Sequence, residues 1–280
     1  MEQDRQLVVK SNHIIEASYR LSVAEQRVIL SAITQVRRDQ QKVTDEVLYS
    51  ITAAELAELC GTDPKTAYRD LQNAAERLQT RRVTLHLEPD GVTIRSKRRR
   101  VTCWVQTVDY IDQEGRIELR FGKDILPYLT GLQREFTRYA LSDVAKMTSA
   151  HAIRLYELLM QWPEGHRVVE LDDLRRWLQL EGRYPSIKDF KRWVLDPSVE
   201  QINEHSPLML TWSQRKTGRK VTHLVFDYAP KKQPAKAVGK APAKSKAGKL
   251  TKEEVGRLAR PGESWEAAYA RLNQIQLELS

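Results

Sequence analysis

Between residues 52 and 78 the chain spells out two helices with a three-residue turn between them, and this constrains the fold more than any other stretch. Thr52-x-x-Glu55 is a capping box: a hydroxyl and a carboxylate three residues apart satisfy backbone donors that a starting helix leaves unpaired. Leu56 and Leu59 follow at helical spacing, and Gly61 supplies the stop. Asp63 is then a new N-cap and Pro64 suits the first helical position, with Ala67, Leu71, Ala75 and Leu78 on one apolar stripe. Two helices across Gly61-Thr62-Asp63 form a helix-turn-helix. After Leu78 the period becomes alternating: Val83, Leu85 and Leu87 share a face, Glu88-Pro89-Asp90-Gly91 turns, and a second strand starts at Val92. Residues 101–105 and 117–121 read as further strands. A helix-turn-helix followed directly by a hairpin predicts a winged helix.

The same order occurs twice. The first half opens with the capping box Ser22-x-x-Glu25, a helix through Ile29, Ala32, Ile33 and Val36, and a short strand at 47–51. In the second half Ser149 opens a helix through Ala152, Leu155, Tyr156 and Leu159, and residues 168–171 form a strand. Asp172 then caps a helix through Leu174, Trp177 and Leu178. The turn Gly182-Arg183-Tyr184-Pro185 leads to Ser186, which caps a helix that buries Phe190 and Val194 and bends at Pro197, where a backbone donor is missing. Residues 208–212 and 221–226, joined through Thr217-Gly218, make a second hairpin. The expected class is therefore α+β, with winged helices at 8–132 and 149–230 joined by a linking helix at 133–148.

The net charge of +9 invites a nucleic-acid reading, but seven lysines and no acid lie in residues 231–250. Without those seven charges, and without the net −1 of residues 251–280, residues 1–230 carry +3, so position rather than total charge must carry the argument. Residues 231–250, rich in Lys, Ala and Pro, cannot bury a core and are expected to be disordered. Beyond them Trp265, Ala268, Tyr269, Leu272, Ile275 and Leu279 fall on one stripe, which predicts a helix at 263–279 docked either on the body or on a partner.

In a winged helix the second helix of the helix-turn-helix lies in the major groove and the wing reaches phosphates or the minor groove. Basic residues gather on these elements in both halves. Lys188, Lys191 and Arg192 lie away from the Phe190 and Val194 stripe, and the second wing carries Arg215, Lys216, Arg219 and Lys220. A solvated helix face or a charged hairpin tip would explain either group alone; their coincidence favours DNA. In the first half Lys65, Thr66 and Arg69 face outward, and Arg95, Lys97, Arg98, Arg99 and Arg100 crowd the region after the turn, where like charges repel unless an anion is near. Such contacts position a protein on DNA without reading its sequence.

No enzymatic site is legible. The chain lacks a Gly-x-x-x-x-Gly-Lys-Ser/Thr phosphate loop, its six histidines are scattered singly, and acidic pairs such as Asp172-Asp173 fit helix starts. No cofactor or metal is expected. Cys60 and Cys103 fit neither a disulfide framework nor a metal motif and read as buried thiols. With no apolar run of about 20 residues and no export signal, the expected location is the cytoplasm, without a membrane partner.

Four stretches resemble a known family: Val9-Lys10-Ser11-Asn12 with Leu21-Ser22 and Glu25-Gln26-Arg27; Phe136-Thr137-Arg138-Tyr139; Ile153-Arg154-Leu155-Tyr156-Glu157-Leu158-Leu159; and Asp189-Phe190-Lys191-Arg192-Trp193-Val194-Leu195 with Gln201-Ile202-Asn203. The wing from Lys216 to His223 extends the likeness. The sequence resembles the iteron-binding replication initiator (Rep) proteins of theta-replicating plasmids. The resemblance implies monomers that bind directly repeated origin sites, assist melting of adjacent DNA and help bring in the host replication initiator and replicative helicase. It also implies homodimers, joined through the first winged helix, that repress their own promoter. By the same resemblance the second winged helix reads bases, and the first adds phosphate contacts. A transcriptional repressor of the same fold without an initiation role is the alternative. Two linked domains in successive grooves predict a site of about 20 base pairs.

Overall fold

A computed structural model describes residues 6–36, 44–89, 91, 99–132 and 134–231, together with Ala267 and Ala270. The described residues from 6 to 231 form one compact unit. The expectations for 231–250 and 263–279 fall outside the described residues except at Lys231, Ala267 and Ala270, the last two being helical. Among the described residues no helix is long and apolar enough to cross a membrane.

The chain begins with β1 (Leu7–Ser11), a short α1 (Asn12–Ile15) and β2 (Ser18–Tyr19). Helix α2 (Val23–Thr34) starts at the Ser22–Glu25 capping box as expected, and buries Val28, Ile29, Ala32 and Ile33. Strand β3 (Tyr49–Thr52) leads into α3 (Ala53–Cys60), which has the Thr52–Glu55 capping box at its start and Gly61 at φ 66° at its end. That left-handed conformation suits a residue without Cβ. Helix α4 (Pro64–Leu78) begins on the Asp63 cap, with the Thr66 N–H donating to Asp63 Oδ2 at 3.1 Å. Strands β4 (Arg82–Leu85), β5 (Arg100–Cys103), β6 (Val105–Ile111) and β7 (Arg116–Phe121) complete the first half.

The strand pairing corrects the expected hairpin. Strand β4 pairs with β5, Leu85 opposite Arg100, and residues 92–98, where the second strand was expected to begin, lie outside the described residues. Strands β2, β4 and β5 form a sheet of their own. The winged-helix sheet is β3-β7-β6, and its hairpin is β6–β7 with a tip at Asp112–Glu114. Alternation alone identified β4, but it could not choose among the strands that follow.

The expected linking helix is also corrected. Phe136–Ala140 is a strand, β8, antiparallel to β1 with Leu7 opposite Ala140 and Ser11 opposite Phe136; among the described residues of 133–148 only Ser142–Ala145 (α5) is helical. Thr137 and Tyr139 point inward while Phe136 and Arg138 are exposed, a two-residue period that one buried face imposes on a strand.

The second half comprises α6 (Ala150–Met160), β9 (His166–Glu170), α7 (Leu171–Trp177), α8 (Ile187–Phe190), a π-helical turn (Lys191–Leu195), α9 (Asp196–His205), β10 (Leu208–Thr217) and β11 (Lys220–Pro230). Ser149 caps α6 as expected, but α7 starts after Glu170, so Asp172 sits in its first turn and is not its cap. The break foreseen at Pro197 is taken up by the π turn immediately before α9. This wider turn is a known way to carry an interrupted backbone ladder within one helix. The sheet order β10-β11-β9 reproduces β6-β7-β3 strand for strand.

One apolar core runs through both halves, and polar groups are buried where they meet. Lys10 of β1 forms an ion pair with Glu157 of α6, with side chains 2% and 1% exposed. Tyr139 donates to Glu157 at 2.5 Å, and Arg154 donates to Tyr19, to Ala17 O at 3.1 Å and to Trp177 O at 3.1 Å. Burial alone would raise the Glu157 carboxyl, but Lys10 and Arg154 overcome it and hold the carboxyl below its usual range. Arg27 adds bonds from α2 to Ala145 O and Met147 O at 3.0 and 3.2 Å.

Candidate nucleic-acid interface

In the second half the helix running from α8 through the π turn packs beside the wing. Lys191 Nζ stands 5.2 Å from the centre of the Trp212 ring on β10, so the helix and the first wing strand share an edge. Lys188 and Arg192 are exposed and Lys191 is half-buried. Arg192 lies 4.9 Å over Trp193, a tryptophan 57% exposed on the same helix.

The wing is a long two-stranded ribbon. Thr217 pairs with Lys220 across Gly218-Arg219, and Gly218 takes φ 62°, the left-handed start that a two-residue hairpin loop requires. A register shift between Arg215 and Lys216 re-aims the outer end of the ribbon. Arg215, Lys216, Arg219 and Lys220 are all exposed. Among the described residues none of these four, nor Lys188, Lys191 or Arg192, makes an ion pair, although Asp189 is an exposed acid on the same helix. Seven cations on adjoining elements without counter-charges form an electrostatic footprint suited to a polyanion.

The turn before this helix is held from within. Tyr184 has φ 50°, a conformation that an L residue before proline rarely adopts. Arg175 of α7 donates to Tyr184 O at 2.9 Å, and its guanidinium lies 5.5 Å over the Phe190 ring. Arg175 thereby ties the turn to Phe190, the first buried residue of the helix that follows. Arg183, exposed in the turn, is a further cation that the sequence reading did not single out.

The first half differs. Lys65 and Arg69 are exposed on the first turns of α4 and Thr66 is half-buried, in agreement with their expected facing. The wing beside α4 ends in acids: Gln72 Nε2 donates to Asp112 Oδ1 at 3.3 Å and to Tyr68 Oη at 2.8 Å, which draws the tip back against α4. Arg116 of this wing is paired with Glu114 at 2.6 Å and with Glu118. The expected basic run is on the separate β4–β5 connection. Arg95, Lys97 and Arg98 lie outside the described residues, Arg99 is exposed, and Arg100 is held by Glu88 through two bonds of 2.8 and 2.9 Å. The structure therefore sets Lys188, Lys191 and Arg192 on the helix that reaches the second wing through Lys191 and Trp212, whereas Arg99 and Arg100 lie at the start of β5, on a sheet separate from the wing beside α4. Cys60 and Cys103 are free and half-buried, rather than fully buried.

Trp193 is the principal residue missed from the sequence. Its three-residue offset from Phe190 suggests the buried stripe, whereas the π turn rotates it outward.

Comparison with known proteins bears on this arrangement. A protein of Escherichia coli described as "Replication initiation protein" is 27% identical over 227 residues, covering 79% of this chain and 68% of its own. An uncharacterized 27.6 kDa protein of the same organism is 25% identical over 224 residues, covering 76% and 91%. The solved structure described as "Crystal structure of Pi initiator protein in complex with iteron DNA" superposes with TM-score 0.69 at 20% identity, over 82% of this chain and all of that one, a likeness of fold. The family described as "Initiator Replication protein, WH1" matches residues 7–160, and "Initiator Rep protein, WH2" matches residues 170–228. With more than half of its length matched by the first of these, the chain belongs to the initiator replication protein family, built from two winged-helix domains in succession.

Proposed function

We propose that this chain initiates plasmid replication by binding directly repeated origin sites in duplex DNA, with the second winged helix as the base-reading domain. The observation that carries this reading is the set of seven ion-pair-free cations on the α8–α9 helix and the β10–β11 wing. In this reading Lys188, Lys191 and Arg192 face the major groove, where arginine can form a paired contact with guanine. Arg215, Lys216, Arg219 and Lys220 follow neighbouring phosphates. Lys65, Thr66, Arg69 and Arg99 add sequence-independent contacts from the first half, and Arg95, Lys97 and Arg98 belong with them by sequence. The structural relative named as an iteron complex supports the choice of repeated sites. The family's wider behaviour extends the proposal: melting of adjacent DNA, recruitment of the host initiator and helicase, and a homodimer that represses its own promoter.

The test is footprinting on DNA flanking the gene, with monomeric and dimeric fractions run separately. Protection of tandem repeats of about 20 base pairs is expected. Protection of one inverted repeat alone would favour a repressor. Arg192→Ala should cost about 1–3 kcal/mol and relax preference at one base pair; equal weakening on every sequence would assign Arg192 to phosphate.

A further inference from the structure

Trp193 is the most exposed large apolar side chain among the described residues, at 57%. Phe190, Val194 and Leu195 on the same helix are buried, and unbroken α-helical winding from Phe190 would bring a residue three positions later toward the same side. The π turn over Lys191–Leu195 widens the helix at this point, and the indole stands in solvent instead. Such turns inside a helix are frequent at functional sites. An indole left in water also forgoes the burial that a tryptophan ordinarily gains, so its placement asks for a partner surface.

The neighbouring residues decide which surface. Arg192 stacks on the ring at 4.9 Å and forms no ion pair among the described residues, so the indole meets its partner together with a free cation. Lys188 and Lys191 lie on the same helix, and Lys191 reaches the wing at Trp212. This charge suits a nucleic acid. Two exposed acids nevertheless flank the indole, Asp189 four residues before it and Asp196 three residues after, spacings that put all three on neighbouring parts of the helix surface. Carboxylates are repelled by phosphate, so this strip does not suit the DNA backbone. It suits the major-groove floor, where base edges are uncharged, cytosine presents an amino donor, and thymine presents an apolar group, its 5-methyl.

We propose that Trp193 is a specificity residue whose indole packs against the 5-methyl group of one thymine in the major groove of the bound repeat. The proposal rests on the reading of the second winged helix as the base-reading domain, and adds to it an apolar contact that the cations cannot supply. The ring also holds the stacked Arg192 guanidinium beside that base.

The experiment measures binding of the full chain to a duplex carrying one footprinted repeat, with each thymine in turn replaced by deoxyuridine. This replacement removes the methyl and leaves base pairing intact. At one position uracil should weaken binding about fourfold, the effect of one methyl no longer buried. Trp193→Ala should bind the unmodified repeat about tenfold more weakly and lose the uracil effect at that position, while Trp193→Leu, still apolar, keeps part of both. Because Trp193 is exposed, both variants should melt with the parent protein. A uracil effect at no position, or one that Trp193→Ala leaves unchanged, overturns the proposal while the base-reading domain stands. Weakening by Trp193→Ala that is equal on every sequence likewise overturns it. A parent protein that protects no repeat removes the underlying reading and this one with it.

Discussion

The two wings of this molecule are built on the same sheet order and end in opposite charge. The second wing is a ten-residue strand returning through Gly218-Arg219, with four exposed cations at its outer end. The first turns at Asp112–Glu114, is drawn against α4 through Gln72, and has its one arginine near the tip paired with two glutamates. A backbone arrangement repeated within one chain thus carries two electrostatic roles. A cationic ribbon is attracted to phosphate, whereas an acidic tip held at short range to its own helix is repelled by it. In the first half Arg99 and Arg100, the described end of the basic run, lie beside and on β5, outside the winged-helix sheet. The lesson is that duplication of a fold does not duplicate its surface.

The largest effect should come from the junction that makes the two halves one unit. Glu157→Gln leaves Lys10 and Arg154 buried without their anion, and should lower unfolding free energy in denaturant by about 3–5 kcal/mol. The same carboxylate has a folded pKa below its unfolded value of about 4.3, so its contribution is present above that pH and lost as pH falls toward the folded pKa. The acid limb of the stability curve should therefore flatten in Glu157→Gln. A cost under about 1 kcal/mol would show that the halves do not depend on this pair.

Next in size is neutralisation of the second wing, Arg215→Ala, Lys216→Ala, Arg219→Ala and Lys220→Ala together. If each cation meets a phosphate, the slope of log affinity against log salt should fall by about 0.9 per residue, with roughly a thousandfold loss near physiological salt. An unchanged slope would remove the wing from the interface. The smallest effect belongs to the first wing: Asp112→Asn with Glu114→Gln should change duplex affinity by less than about threefold, as for exposed charges already partnered within their own half. A tenfold gain in a filter-binding or anisotropy assay would instead place the acidic tip within reach of the duplex and erase the proposed contrast.

Much of the architecture is legible before any coordinates. The capping boxes at Ser22 and Thr52, the Asp63-Pro64 start and the Ser149 cap all appear where local hydrogen bonding demands them. Lys188 and Arg192 also stand exposed, as the sequence implies, because Phe190 and Val194 define the buried face of their helix. Other features are decided by partners distant in the chain. Phe136–Ala140 becomes a strand because β1, more than a hundred residues earlier, offers it an edge. Likewise β4 pairs with β5, leaving β6–β7 as the wing, and Arg100 lies off that sheet.

By itself, then, the sequence determined the starts of α2, α3, α4 and α6, the doubled order of helix, strand and two helices, and the cationic face of the helix that follows Ser186, since each rests on contacts within a few residues. Tertiary structure alone decided strand partnership, the outward turn of Trp193 and the Glu88 grip on Arg100. The physical reason is range. Caps and stripes are set by neighbours along the chain, but pairing, burial of charge and the shape of a cavity depend on which remote surfaces fold against one another.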